Sequence, residues 1–144
     1  MSINNKNINN CLFCKIVSGE IPCNKIYEDK NFLAFLDINP INKGHSLVIP
    51  KKHSRNILEI DSKTLENLML IVQKLSKQIK TALKSDGINI IMNNETEAGQ
   101  IFFHTHVHII PRFTGDNLKH WPNKKYRGNE AEIIAKKILV KSKF

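Results

Sequence analysis

Apolar positions along the chain change their spacing from one stretch to the next. Between positions 25 and 50 they form short runs at Lys25 to Glu28, Phe32 to Leu36 and Ser46 to Ile49. Pro40 and Gly44 bracket a turn, and Pro50 ends the third run. Short apolar runs between turn residues predict strands. From Leu65 the spacing becomes three to four, through Leu68, Met69, Val72, Leu75, Ile79, Ala82 and Leu83. That stripe predicts an amphipathic helix packed on a core. Asp61 or Ser62 is placed to cap its start and Gly87 its end. Ile88 to Met92 and Phe102 to Ile110 return to strand character. Asn129 followed by Glu132 resembles a capping box, and Ile133, Ile134 and Ile138 predict a short closing helix behind it. Leu12 to Val17 opens the ordered part. The fold class expected is α+β: a five-stranded, mainly antiparallel sheet with one long central helix and a short C-terminal helix.

Length and composition leave that picture in one domain. The chain has 144 residues, 41% of them hydrophobic, enough for a core without disulfides. Residues 1–10 hold five asparagines and read as a disordered tail, with residues 11–144 as a single domain. The net charge of +9 favours anionic partners. Its lysines are spread out, in pairs at Lys51-Lys52, Lys124-Lys125 and Lys136-Lys137. This reads first as a solvated surface and only weakly as support for a phosphate-bearing ligand. No nucleic-acid motif accompanies it, so no nucleic-acid partner is expected. The cysteines, Cys11, Cys14 and Cys23, are odd in number and make a poor disulfide framework. Cys23 reads as an ordinary small residue. No apolar run approaches the ~18 residues of a membrane span, and none resembles a signal peptide. The expectation is a cytoplasmic protein with no membrane partner.

Candidate chemistry concentrates at His104-Thr105-His106-Val107-His108. In a strand the side-chain period is two, so all three imidazoles would share one face, about 7 Å from one to the next. Two chemistries suit such a row: metal binding by neutral imidazole, or nucleophilic and acid–base catalysis near neutral pH. The preceding stretch from Asn93 to Gln100 contains an amide donor in Asn93 and close backbone approach at Gly99. These suit a phosphate cradle better than a bare metal site. Cys11-x-x-Cys14 has zinc-ligand spacing but is by itself half a site, and two free thiols are the alternative.

The chain resembles the histidine-triad (HIT) family, in the branch of the histidine-triad nucleotide-binding (HINT-like) proteins. The resemblance rests on the triad with Ile109-Ile110, on Leu12 to Ile16, Gly19-Glu20-Ile21-Pro22 and Tyr27-Glu28-Asp29. It extends through Leu33 to Pro40, Gly44 to Pro50, Gly99-Gln100 and Pro111-Arg112. It implies a HIT-like fold and a purine nucleoside phosphoramidate hydrolase or nucleotidyl transferase that releases a nucleoside monophosphate. By similarity His106 is the nucleophile, His108 contacts phosphate and orients His106, and His45 assists proton movement. Asp37 matches the carboxylate that takes both ribose hydroxyls. Leu12, Phe13, Ile16, Phe35, Ile38 and Leu47 match an apolar base pocket, with plain core as the alternative. Asn93, Gly99, Gln100 and Ile101 match the phosphate side. A histidine-rich site with pKa values near ~6.5 would protonate the leaving nitrogen.

The resemblance also implies a structural zinc held by Cys11, Cys14, His53 and His104, and no catalytic metal. It implies a purine nucleotide ligand such as AMP and a homodimer, with the tail around His120-Trp121-Pro122 near the site. Three positions depart from the family pattern. Ile101 stands where serine is common, Thr105 stands in an apolar slot, and Asn94-Glu95 replaces an Asn-Gly step. Thr105 is expected to alter packing rather than chemistry, and Glu95 to alter the loop. The alternatives in function are a dinucleoside polyphosphate hydrolase, a non-catalytic nucleotide-binding regulatory module, and a metalloenzyme using all three triad histidines.

Overall fold

The computed structural model describes residues 10–141. The expected tail over residues 1–10 therefore lies, but for Asn10, outside the described residues, as do positions 142–144. The elements are α1 (Leu12–Ser18), β1 (Lys25–Glu28), β2 (Phe32–Leu36), β3 (Ser46–Pro50), α2 (Ser62–Leu83), β4 (Gly87–Ile91), β5 (Val107–Arg112) and α3 (Glu130–Lys141). The strands form one sheet in the order β1-β2-β3-β5-β4, and every pairing is antiparallel. The expected α+β class is what forms.

The central strands are buried on both faces, which is why their sequences read as unbroken apolar runs. Successive side chains alternate sides. Phe32, Ala34, Val48, Val107 and Ile109 pack with Leu68, Ile71, Val72, Leu75 and Ile79 of α2. Leu33, Phe35, Leu47 and Ile49 point the other way and pack with Phe13 and Ile16 of α1. Each fully buried side chain of this kind stabilises the fold by roughly 1.5–3 kcal/mol. Asp61 caps α2, its carboxylate accepting from Thr64 N–H at 2.9 Å. Met69 and Ala82, counted in the apolar stripe, lie at its margin and are exposed.

Four sequence expectations need correction. Cys11 to Ser18 opens with a helix, α1, whose cap is the Cys11 sulfur accepting from Cys14 N–H. Helix α2 ends on Lys84 in the left-handed region (φ 51), not on Gly87, which begins β4. The capping carboxylate of α3 is Glu130, accepting from Arg127 N–H at 3.0 Å. Glu132 pairs instead with Lys136, and Ile133 and Ile138 stay exposed rather than closing the core.

The fourth correction matters most for the site. β5 begins at Val107, not Phe102, so His104 and His106 precede the strand and only His108 lies in it. The β3–β5 register pairs Val48 with Val107. Continued by two residues it would set Thr105 against Pro50, which has no N–H to give and whose carbonyl accepts from His104 Nε2. Thr105 N–H turns to Ser54 O at 2.7 Å instead. Among the described residues, no helix is long and apolar enough to cross a membrane.

Candidate active site and metal cluster

The break in the ladder sends the three triad histidines to different places. His104 is fully buried, and its Nε2–H donates to Pro50 O at 2.8 Å. That fixes a lone pair on Nδ1, which faces Cys11 Sγ at 3.4 Å, Cys14 Sγ at 3.6 Å and His53 Nδ1 at 3.3 Å. Cys14 Sγ lies 3.4 Å from His53 Nδ1. A tetrahedron of zinc–sulfur and zinc–nitrogen bonds of ordinary length has edges of about 3.3–3.8 Å. The four donor atoms are spaced for such an ion, and all lie within 4.8 Å of one another. The carbonyl behind His104 is the outer-shell partner that orients a ligating imidazole. Burial, with Cys11 beside it, pushes the Cys14 thiol up to about 12, so a cation is what would hold it as thiolate.

His106 turns away from that cluster. Its Nδ1 lies 2.7 Å from His104 O. A carbonyl only accepts, so Nδ1 carries the proton and Nε2 carries the lone pair. His106 packs ring to ring against His108 at 5.0 Å and Phe13 at 5.1 Å. A second set of bonds fixes the neighbours. Ile41 N–H donates to His45 Nδ1 at 3.1 Å, so the proton of His45 sits on Nε2. It donates to His108 Nδ1 at 2.8 Å, which leaves the proton of His108 on Nε2. Asp37 Oδ2 lies 3.8 Å from His45 Nε2, while Oδ1 accepts from Asn39 N–H at 2.8 Å.

Burial holds all of these imidazoles down: His108 to about 4, and His45 and His106 below the ordinary 6.5. The expectation of a site poised near neutral pH is corrected here. The rings are neutral donors and acceptors until an anion arrives, and a phosphate beside them acts to raise them.

The phosphate-side segment is held mostly by its own chain. Gly99, at φ +86, gives its N–H to Thr96 O. Gln100 is buried, and its amide is spent on Arg55 O, Phe102 O and Glu95 N–H. Gln100, expected to touch substrate, instead braces the loop. Among the described residues, the Asn93 amide and the Ile101 N–H have no hydrogen-bond partner, and Ile101 is 77% exposed. Of the apolar set, Phe13, Ile16, Phe35 and Leu47 are joined in the α1-side core. Only Ile38, 83% exposed, stands open. Trp121 is 82% exposed and is not brought to the site within the chain. Sequence reasoning did not find Ser54, Arg55 and Asn56, which hold Thr105, Glu95 and Gln100. Glu95 and Thr105, both noted in the sequence as departures, were the signals pointing to them.

The antiparallel α+β sheet thus gathers a lone-pair imidazole, two supporting histidines and a carboxylate at one place. The HIT domain profile matches residues 18–115, and the chain belongs to the HIT domain family. It is 52% identical over 106 residues to an uncharacterized HIT-like protein of Methanocaldococcus jannaschii, covering 74% of this chain and 81% of that one. It is 42% identical over 125 residues to adenylylsulfatase HINT3 of Arabidopsis thaliana, covering 87% of this chain and 62% of that protein. Among solved structures, a HIT family protein from Bacillus subtilis superposes with TM-score 0.86 at 37% identity, covering 94% of this chain and 99% of that one. A zinc-bound histidine triad family protein from Mycobacterium smegmatis superposes with TM-score 0.75 at 39% identity, covering 82% and 86%.

Proposed function

We propose that the protein hydrolyses purine nucleoside phosphoramidates and related mixed anhydrides through a nucleotidyl-histidine intermediate. The observation that carries this reading is the tautomer of His106: its Nδ1 proton is held by His104 O at 2.7 Å, so its Nε2 is a standing nucleophile. Nε2 attacks phosphorus, the P–N bond breaks, and the amine leaves with a proton from His108, which the bound phosphate raises into its protonated form and which recovers that proton from the attacking water. Water then attacks the nucleotidyl-imidazole and releases the monophosphate. His108 Nε2–H contacts the phosphate, and His45, through its bond to His108, assists proton movement. Asn93 and the Ile101 N–H are donors for phosphate oxygen. Asp37 takes the ribose hydroxyls, and Ile38 lies over the base with the edge of Phe13, Ile16, Phe35 and Leu47 beneath. Gly99 and Gln100 shape the loop.

Zinc bound by Cys11, Cys14, His53 and His104 would brace the segment carrying His106 and take no part in the reaction. His45 supports the absence of a catalytic metal at Asp37, His45 and His108. One of its nitrogens accepts from Ile41 N–H and the other donates to His108, so neither has a lone pair free. An adenylylsulfatase among the relatives supports adenylate mixed anhydrides within the substrate range. A ligand such as AMP, a homodimer and a cytoplasmic setting belong to the same reading, without a nucleic-acid partner.

The test is conversion of adenosine 5′-phosphoramidate to AMP in the presence of chelator, compared with a diadenosine polyphosphate. Metal content is measured on the same samples. His106→Ala is expected to lower turnover at least about a thousandfold while the fold survives. Turnover close to wild type in that variant would sink the assignment.

A further inference from the structure

Five consecutive residues between β3 and α2 each hold part of the cluster, of Thr105 or of the 93–101 loop. His53 Nδ1 faces Cys14 Sγ at 3.4 Å and His104 Nδ1 at 3.3 Å. Ser54 O takes the Thr105 N–H at 2.7 Å, and the two hydroxyls meet at 2.7 Å. Arg55 O accepts from Gln100 Nε2 at 2.7 Å, and its guanidinium donates to Glu95 Oε2 at 3.0 Å. Asn56 Nδ2 donates to Glu95 Oε1 at 2.6 Å. Ile57 N–H donates to Asn94 Oδ1 at 2.9 Å. One end of this segment lies in the cysteine–histidine cluster, and the other holds the loop that carries Asn93, Gly99 and Ile101.

Glu95 is the residue that closes the connection. Its backbone sits at φ 72, ψ 162, a region that only glycine occupies without strain. Such a conformation persists only where the surroundings impose it. Here the carboxylate is held by Arg55 and Asn56, the N–H by Gln100 Oε1 at 2.8 Å, and the carbonyl by the N–H groups of Ala98 and Gln100. Asn56 and Gln100 are buried, so water is poorly placed to substitute for either bond. Thr105 and Glu95 both have their partners in this one segment.

We propose that residues 53–57 form a clasp through which the Cys11–Cys14–His53–His104 cluster sets the geometry of the 93–101 loop, with Glu95 as its positioning residue. The proposal rests on the assignment of that loop to the phosphate side. It says that loading the cluster with zinc tightens the loop, and that losing the metal frees it while the sheet stays folded.

The test is amide hydrogen exchange on the full chain, loaded with Zn2+ and after stripping with chelator. Stripping is expected to speed exchange of the Glu95, Gly99 and Gln100 amides at least about tenfold, with β2 and β3 still protected. In the zinc-loaded protein, Glu95→Ala is expected to free the same amides, and so is Glu95→Gly, which removes the strain as well. Glu95→Gln, which keeps an acceptor for Asn56, restores most of the protection. In the hydrolysis assay Glu95→Ala lowers kcat more than it changes KM. Loop amides that stay protected when zinc leaves, or in zinc-loaded Glu95→Ala, overturn the clasp. If stripping unfolds the whole chain, the cluster holds the sheet rather than the loop, and the clasp is overturned. The exchange readout needs no substrate, so a failed phosphoramidate assay overturns the functional reading and leaves the clasp standing.

Discussion

His45 draws its role from neighbours that do no chemistry. The turn into it passes through Gly44 at φ +84, where an added Cβ would run into the Leu83 side chain and press on Pro111 Cγ at 3.3 Å. Its N–H goes to Asn42 O, and Asn42 is itself held by Pro111 O and Asp116. Gly44→Ala is therefore expected to destabilise the protein by about 2 kcal/mol, from positive-φ strain and overpacking together. Urea denaturation measures that loss. Turnover is expected to fall with it, because His45 follows directly. The residue types of the site were legible in the sequence: His106, His108, His45 and Asp37 announce acid–base and hydroxyl-binding chemistry. Their tautomers were not, because each is set by a partner distant in sequence or by a turn, such as Ile41 N–H for His45.

Elements were legible in proportion to their length. Helix α2 runs 22 residues, long enough for its period to show, and Asp61 is the kind of side chain that caps. Helix α1 has 7 residues, too few to establish a period, and a cysteine sulfur is an unusual cap. The end of α2 was misplaced because glycine is the usual left-handed residue, whereas Lys84 adopts that conformation at φ 51. Its N–H reaches Lys80 O and Thr81 O, and those bonds do not depend on the side chain. Lys84→Gly is expected to raise stability by about 0.5–1 kcal/mol, read as an increase in Tm. The start of β5 could be read only from the sheet register, since Pro50 ends the ladder from the neighbouring strand.

Across the whole molecule, the sheet separates two cores and the chemistry gathers at one end of it. That arrangement buries imidazoles in neutral form, with a consequence for acid stability. His108 is held at about 4 and His45 below its ordinary 6.5. The unfolded chain therefore binds more protons than the folded one between about pH 4 and 6.5. Stability is full above that window and is lost as pH falls through it. For His108, on the open side of the site, solvent screening trims the effect to on the order of 2 kcal/mol. Thermal melts of chelator-treated protein from pH 7 to pH 4 are expected to show this loss, and His108→Gln to flatten it. An equal slope in the variant would refute the assignment.

The sequence by itself determined the α+β class, the long helix, the strand runs and the list of reactive side chains. Those follow from local period and residue chemistry, which need no partner. The resemblance had already grouped His104 with the two cysteines and His53, but only the tertiary structure decided how the row divides, leaving His106 with its lone pair beside His108. The physical reason lies in Pro50, which offers the ladder neither of its groups. Pro50 has no N–H to continue the ladder and its carbonyl accepts from His104 Nε2, so Thr105 bonds to Ser54 instead, and three residues that would have shared one strand face take separate roles.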